Sequence, residues 1–221
     1  MKTAGKSSLS QPVYEHLTKM LLNMELKPGD RIPENKIAQQ FGISRTPIRE
    51  ALRRLANDGV INIYPNRYAE VITIDENYVR QMGQARIAID SMLAKLVVYY
   101  GNNADFARLR ELAVACTEAT KTSDHAARSQ ADTNFHAAFS EISRNPMLID
   151  IQKSLSFRVN LLVAWKYICY DDGYALSLDH HKLVDALIDR NESLAVKVAI
   201  EHLVKFYSLE ESFPPYFFFP K

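Results

Sequence analysis

The stretch Gly42-Ile43-Ser44-Arg45-Thr46-Pro47-Ile48-Arg49-Glu50-Ala51-Leu52-Arg53-Arg54-Leu55 decides the reading of this chain. Ser44 carries a hydroxyl of the kind that caps the free N–H groups of a helix, and Gly42-Ile43 before it makes a tight turn. Pro47 is tolerated only in a first helical turn. From there Ile48, Ala51, Leu52 and Leu55 recur at helical spacing and should be buried, whereas Arg45, Arg49 and Arg53 stand four residues apart on a separate face. One face packs and the other can meet phosphates or guanines, the pattern of a DNA-recognition helix.

The flanks complete a domain. Val13, Leu17, Met20 and Leu21 form an earlier amphipathic helix, Lys27-Pro28-Gly29-Asp30 breaks the chain, and a short second helix covers about 34–41. After the arginine helix, Asp58-Gly59 supplies a stop, and β-rich runs over 60–64 and 70–74 flank Pro65-Asn66-Arg67. The expectation is a three-helix unit with a two-stranded wing over residues 1–74. Charge agrees with this division. Residues 1–67 hold 11 Lys/Arg against 6 Asp/Glu, a net of +5, while residues 68–221 hold 16 against 20, a net of −4. The chain's overall charge of +1 thus hides a basic head on an acidic body.

With 221 residues and 47% hydrophobic content, the chain can form two modest domains with packed cores. Cys116 and Cys169 are too few for a disulfide framework and read as reduced, partly buried thiols. The N-terminus lacks an apolar signal core, and Lys95 and Lys166 interrupt the longest apolar stretches, so the expected location is cytoplasmic, with no membrane contact. The aromatic tail, Phe213-Pro214-Pro215-Tyr216-Phe217-Phe218-Phe219-Pro220, should pack on the body or on a partner subunit.

Beyond the wing, strand signals give way to helical ones. Asp75-Glu76 begins a long helix with Met82, Ala85, Ile89, Leu93 and Leu96 on one side, ending near Gly101. A helix through Phe106, Leu109, Leu112, Ala113 and Cys116 follows. Others are expected over about 124–143, stopped by Asn145-Pro146, and over about 147–167. After an Asp171-Asp172-Gly173 loop, Ser177 can cap a helix ending at Ile188, and Asn191 can cap the last, over about 192–209. The fold class is mainly α: an N-terminal winged helix-turn-helix and, over residues 75–221, an all-α bundle of six helices.

Within that bundle Asp132 and His136 lie four residues apart, which sets a carboxylate and an imidazole on one helical face, while His180 and His202 fall on the last two helices. Helices facing one interior can arrange such groups around a divalent ion. Spacing alone leaves the alternative that these histidines are hydrogen-bonded core or surface residues.

Residues 10–74 resemble the GntR family of bacterial transcription regulators, through Ile43-Ser44-Arg45-Thr46-Pro47-Ile48-Arg49-Glu50-Ala51-Leu52. The resemblance implies that Ser44, Arg45, Thr46 and Arg49 contact DNA and that the wing tip, Asn66 and Arg67, enters the minor groove; Arg53 shares the exposed arginine face. Asn35 stands where some relatives place a DNA-contacting arginine, and Tyr68 replaces the small residue usual in the wing. The second half is similar to the FCD-type ligand-binding domain of FadR-like members. Asp132-Thr133-Asn134-Phe135-His136, Ser143-Arg144-Asn145-Pro146, Asp179-His180-His181-Lys182-Leu183-Val184-Asp185-Ala186-Leu187 and Ala199-Ile200-Glu201-His202-Leu203 carry this likeness.

In the metal-binding branch of that group, the positions matching Asp132, His136, His180 and His202 hold a divalent transition metal. Zinc or nickel is expected first, manganese or iron next. The alignment of Leu183, Ala186 and Leu187 favours His180 over His181. The resemblance also implies a small carboxylate effector, such as a sugar acid or hydroxy acid, that completes the metal's coordination. Arg86 matches a pocket arginine of the pattern Arg-x3-Glu, here with Asp90 as the acid, and Arg158 is a second candidate; Tyr99, Trp165 and Tyr167 could line the pocket.

Two functional classes compete. The first is a ligand-responsive regulator, a homodimer that sets two recognition helices on pseudo-palindromic double-stranded operator DNA. The alternative is a metal-dependent, hydrolase-like enzyme with an accessory winged head. The complete head favours the regulator, and no side chain can be nominated as nucleophile or general base, so no catalytic residue is assigned. A purely structural nucleoid protein leaves the polar quartet unexplained.

Overall fold

The structure, a computed structural model, describes residues 7–122, 124–169, 173–214 and 217–218. It divides into two compact units, Met1–Ile74 with Phe157–Trp165, and Asp75–Ser156 with Lys166–Lys221. Asp171, Asp172, Tyr216 and Phe219 lie outside the described residues, as do the side chains of Lys166, Tyr167 and Cys169. Nine helices and two strands are described, so the molecule is mainly α.

In the first unit, α1 (Ser7–Leu22), α2 (Glu34–Phe41) and α3 (Arg45–Asn57) precede strands β1 (Ile61–Tyr64) and β2 (Tyr68–Val71). Val13, Leu17 and Leu21 of α1 are fully buried, as are Ile48, Ala51 and Leu55 of α3, because both helices turn their apolar stripe inward. Gly42 ends α2 at φ +62, the left-handed conformation that glycine adopts without a Cβ penalty. The strands are antiparallel in the register Ile61↔Val71 to Tyr64↔Tyr68, so β2 starts two residues before the expected Glu70. The reason is the short turn: Pro65 and Asn66, at φ +56, reverse the chain, and the Arg67 N–H donates to the Tyr64 carbonyl at 3.1 Å.

The second unit is helical: α4 (Glu76–Tyr100), α5 (Asn103–Ala119), α6 (His125–Ile142), α8 (Gly173–Ile188), α9 (Glu192–Phe206) and the ends of α7 (Pro146–Cys169), whose Phe157–Trp165 stretch belongs to the first unit. Asp75, Asp124 and Asn191 cap α4, α6 and α9 by accepting from backbone N–H groups, and Asn102 forms a capping box with Asp105 on α5. Ser177 is no cap, because α8 already begins at Gly173 and places it inside the helix, buried. The core joins Leu93 and Val97 of α4, Phe106 and Leu109 of α5, Phe135 and Phe139 of α6, and Leu187 and Ala195 of α8 and the α9 start.

The buried face of α4 also differs from the expectation. Met82 and Leu93 are buried, but Ala85 is exposed, and the face includes Arg86, Ile87 and Asp90 instead. The aromatic tail stacks on itself where described: the Phe213 ring lies 4.5 Å from Phe217 and 5.4 Å from Phe218, with Phe217 still 55% exposed. Among the described residues, no helix is long and apolar enough to cross a membrane.

Candidate nucleic-acid interface and metal centre

The head presents a groove between α3 and the wing, lined by Lys36, Arg45, Arg49, Arg53 and Arg67 against the single acid Glu34. Arg45, Arg49, Arg53, Thr46, Asn66 and Arg67 are all exposed, as their expected contacts require, and Asn35 and Tyr68 line the same groove. Such a concentration of guanidinium groups, with no ion pair to Arg45, Arg49, Arg53 or Arg67 among the described residues, suits a phosphate backbone, and Arg45 and Arg49 sit in the first turns, which reach base edges. Ser44 stands at the N-cap position with extended backbone, φ −71 and ψ 168, but its side chain makes no capping hydrogen bond. That corrects the expected cap and leaves its exposed hydroxyl available to a phosphate.

In the second unit, α6, α8 and α9 bring Asp132, His136, His180 and His202 together, with one ligand atom from each within 4.8 Å of all the others. His180 Nε2 lies 3.6 Å and His136 Nε2 3.8 Å from Asp132 Oδ1, too long for hydrogen bonds. Both ring nitrogens of His180 and Nδ1 of His202 are buried without a hydrogen-bond partner. Each such orphan costs about 1–3 kcal/mol, so three in one place call for a shared partner. His181, the neighbour, is taken up elsewhere, with Nε2 2.9 Å from the Thr117 hydroxyl.

The electrostatics fit a cation. Burial, reinforced by the Arg86 charge, holds His136 well below the usual imidazole range, and burial with neighbouring His202 does the same to His180. Burial brings His202 down to about 3, and it raises the Asp132 carboxyl to about 6. The imidazoles are therefore neutral and hold lone pairs, and a bound ion would reverse the cost of ionising Asp132. Three nitrogens and one oxygen suit zinc, nickel, manganese or iron. The residues thus fit the metal that the resemblance implies.

Around the quartet lies a layer that sequence reasoning only partly found. Arg86 donates to Asp90 Oδ2 at 2.9 Å in a buried i,i+4 pair, and its Nη2 is 3.2 Å from His136 Nδ1. Asp90 Oδ2 is 3.7 Å from His136 Nδ1, beyond hydrogen-bond distance, so the group in direct contact with that nitrogen is the Arg86 guanidinium. Arg86 is therefore beside the site but already neutralised. The Phe135 ring stacks on His180 at 4.2 Å and fixes its plane. A small cavity of about 20 Å³, room for about one water molecule, lies against Asp132, His180 and His202 and is also lined by Thr120, Arg128 and Ser177. The missed signals were the Arg86-x3-Asp90 spacing as an internal ion pair and Phe135 directly before a ligand.

Arg158, the second effector candidate, lies in the first unit, where its Nε donates to the Asp58 carbonyl at 3.0 Å. Tyr99 is 78% exposed, so it does not line an interior pocket.

A winged helix-turn-helix with a cationic groove, followed by a helical domain with a buried Asp-His cluster, is the architecture of a DNA-binding transcription regulator. The chain belongs to the GntR family of bacterial regulatory proteins: that family's model matches residues 9–71, and the FCD domain matches residues 81–205. It is similar to the HTH-type transcriptional regulator YdhC of Bacillus subtilis, at 24% identity over 86% of this chain and 85% of the relative. Similarity to the Uxu operon regulator of Haemophilus influenzae is 28% over 86% and 78%. The solved structure of E. coli McbR/YncC superimposes with a TM-score of 0.76 at 23% identity, over 93% of this chain and 98% of that one.

Proposed function

We propose that this regulator is a homodimer that senses a small organic or sugar acid through a transition metal held by Asp132, His136, His180 and His202. The observation that carries the reading is the convergence of four ligand atoms with three buried imidazole nitrogens that have no hydrogen-bond partner among the described residues. When bound, the metal supplies Lewis-acid coordination for a carboxylate or hydroxyl oxygen. The chain's own residues do the rest: Arg86 contacts His136 Nδ1, with Asp90 holding the guanidinium in place, and Phe135 orients His180. The small cavity lined by Arg128 and Ser177 touches Asp132, His180 and His202, and Arg86 contributes positive potential already balanced by Asp90.

In the head, Arg45 and Arg49 read the major groove, Ser44, Thr46 and Arg53 reach its edge or backbone, and Asn66 and Arg67 engage the neighbouring minor groove. A single recognition helix covers a half-site, which is why a dimer on a pseudo-palindrome is the expected complex. The test is a footprint titrated with a panel of sugar acids and hydroxy acids, with metal-loaded and chelator-treated protein side by side. A two-half-site footprint that one acid shifts only in the metal-loaded protein supports the reading. A footprint insensitive to every acid and to the metal overturns it.

A further inference from the structure

We infer that Arg31, stacked on Tyr68, is a phosphate-contacting residue on the outer face of the wing, and that Tyr68 is the positioning residue that holds it there. This rests on the DNA-binding reading of the head and extends its interface beyond the recognition helix and the wing tip.

The wing has a third, short rung. Val71 N–H donates to the Asp30 carbonyl at 2.9 Å and Ile32 N–H to the Ala69 carbonyl at 2.8 Å, so the segment before α2 pairs with the free edge of β2 and sets Arg31 opposite Glu70. Side chains alternate across a sheet, so Arg31, Glu70, Tyr68 and Tyr64 share one face, while Ala69 and Val71 are buried on the other. On that outer face the Arg31 guanidinium carbon sits 3.9 Å above the Tyr68 ring, and the Tyr64 ring lies 4.8 Å from Tyr68 on the partner strand. Arg31 is exposed, and among the described residues no ion pair joins it to Glu70 or to any other acid.

Stacking uses the flat face of a guanidinium and leaves its N–H fork unspent. An unsupported surface arginine must lose its rotamer freedom when it meets a phosphate, whereas a stacked one presents the fork already oriented. Tyr68 lines the cationic groove that holds Arg45, Arg49 and Arg67, as does Ile32, the residue next to Arg31. The outer face of a wing whose tip enters a minor groove meets the sugar-phosphate backbone alongside it, and this is the chemistry that an oriented arginine recognises.

The experiment uses full-length protein and two duplexes: one enriched by the wild-type protein from a randomised library, and an unrelated one of equal length. Affinities are measured over a salt series for Arg31→Ala, Arg31→Lys, Tyr68→Phe, Tyr68→Leu and, as a control, Arg49→Ala. Arg31→Ala should weaken both duplexes about equally, by roughly three- to tenfold, and flatten the slope of log affinity against log salt by about one, without changing base preference. Arg31→Lys should keep the slope. Tyr68→Phe should match wild type, whereas Tyr68→Leu should lose affinity as Arg31→Ala does, with an unchanged melting temperature as the check on folding. An unchanged salt slope in Arg31→Ala, while Arg49→Ala loses selectivity, overturns this inference and leaves the DNA reading intact. If Arg49→Ala also binds the selected duplex as wild type does, the DNA reading itself fails.

Discussion

His180 Nε2 and Asp132 Oδ1 face each other at 3.6 Å in a buried site, too far apart to bond and close enough for one ion to bridge. Because these residues come from α8 and α6, with His202 on α9, a bound ion cross-links three helices. Its removal should loosen the domain. An ion present at about a thousand times its dissociation constant contributes roughly 4 kcal/mol, which is about 10 °C of melting temperature for a domain of this size. Thermal melts before and after exhaustive chelation check this, and a shift under about 2 °C contradicts it.

Acid should destabilise the metal-free protein. Its three buried histidines take up protons only well below the usual imidazole value, His202 at about 3, whereas unfolded histidines do so near about 6.5. The unfolded state therefore binds more protons as pH falls through about 6.5, and stability drops there. Asp132 works the other way: its carboxyl, raised to about 6, protonates in the folded state before an unfolded carboxyl does near about 4, which adds stability on acidification. Three groups outweigh one, so the melting temperature of chelated protein should fall between about pH 7 and about pH 5. A flat or rising profile over that range counts against the assignment of buried neutral imidazoles.

The Arg86–Asp90 pair is nearly inaccessible, with side chains 2% and 4% exposed. Asp90→Ala strands a buried guanidinium and should cost about 3–5 kcal/mol in a denaturant titration, while also disturbing His136. A cost under about 1 kcal/mol would mean that water reaches Arg86.

Gly83→Ala is expected to be costly despite the good helix propensity of alanine. An added Cβ would come within 2.8 Å of Tyr207 Cβ, which follows α9, and 3.0 Å of Leu209 Cδ1. Overpacking of this kind costs about 1–3 kcal/mol, and a stabilised variant in the same titration would show that α4 and the segment after α9 are not in close contact.

Replacing Arg45 and Arg49 by alanine should weaken binding to a selected duplex by roughly 1–3 kcal/mol each and relax preference at the contacted base. Unchanged selectivity in the double variant, by gel shift on single-base variants of that duplex, removes α3 from the role of reader.

The head was legible because its signals are local. Arg45, Arg49 and Arg53 face solvent and Ile48, Ala51, Leu52 and Leu55 face the core, as the spacing requires. The quartet was legible in part for the same reason, since Asp132 and His136 share one helix; that His180 rather than His181 joins them depended on the resemblance. What escaped was tertiary. Apolar periodicity put Ala85 on the buried face of α4, because it cannot register that Arg86 and Asp90 neutralise each other and so can be buried together. Ser177 looked like a cap because a hydroxyl signals a helix start only where the helix does not already run through it. Arg158 was read from its helix alone, whereas its partner, the Asp58 carbonyl, lies 100 residues away in sequence.

The most direct measurement is elemental analysis of protein purified without chelator, wild type beside His136→Ala and His202→Ala. The account requires close to one equivalent of a transition metal per wild-type chain and far less in both variants. Wild-type protein with well under one equivalent of any transition metal, yet releasing or gripping its operator in response to an organic acid, would show that the four residues form an ordinary polar core.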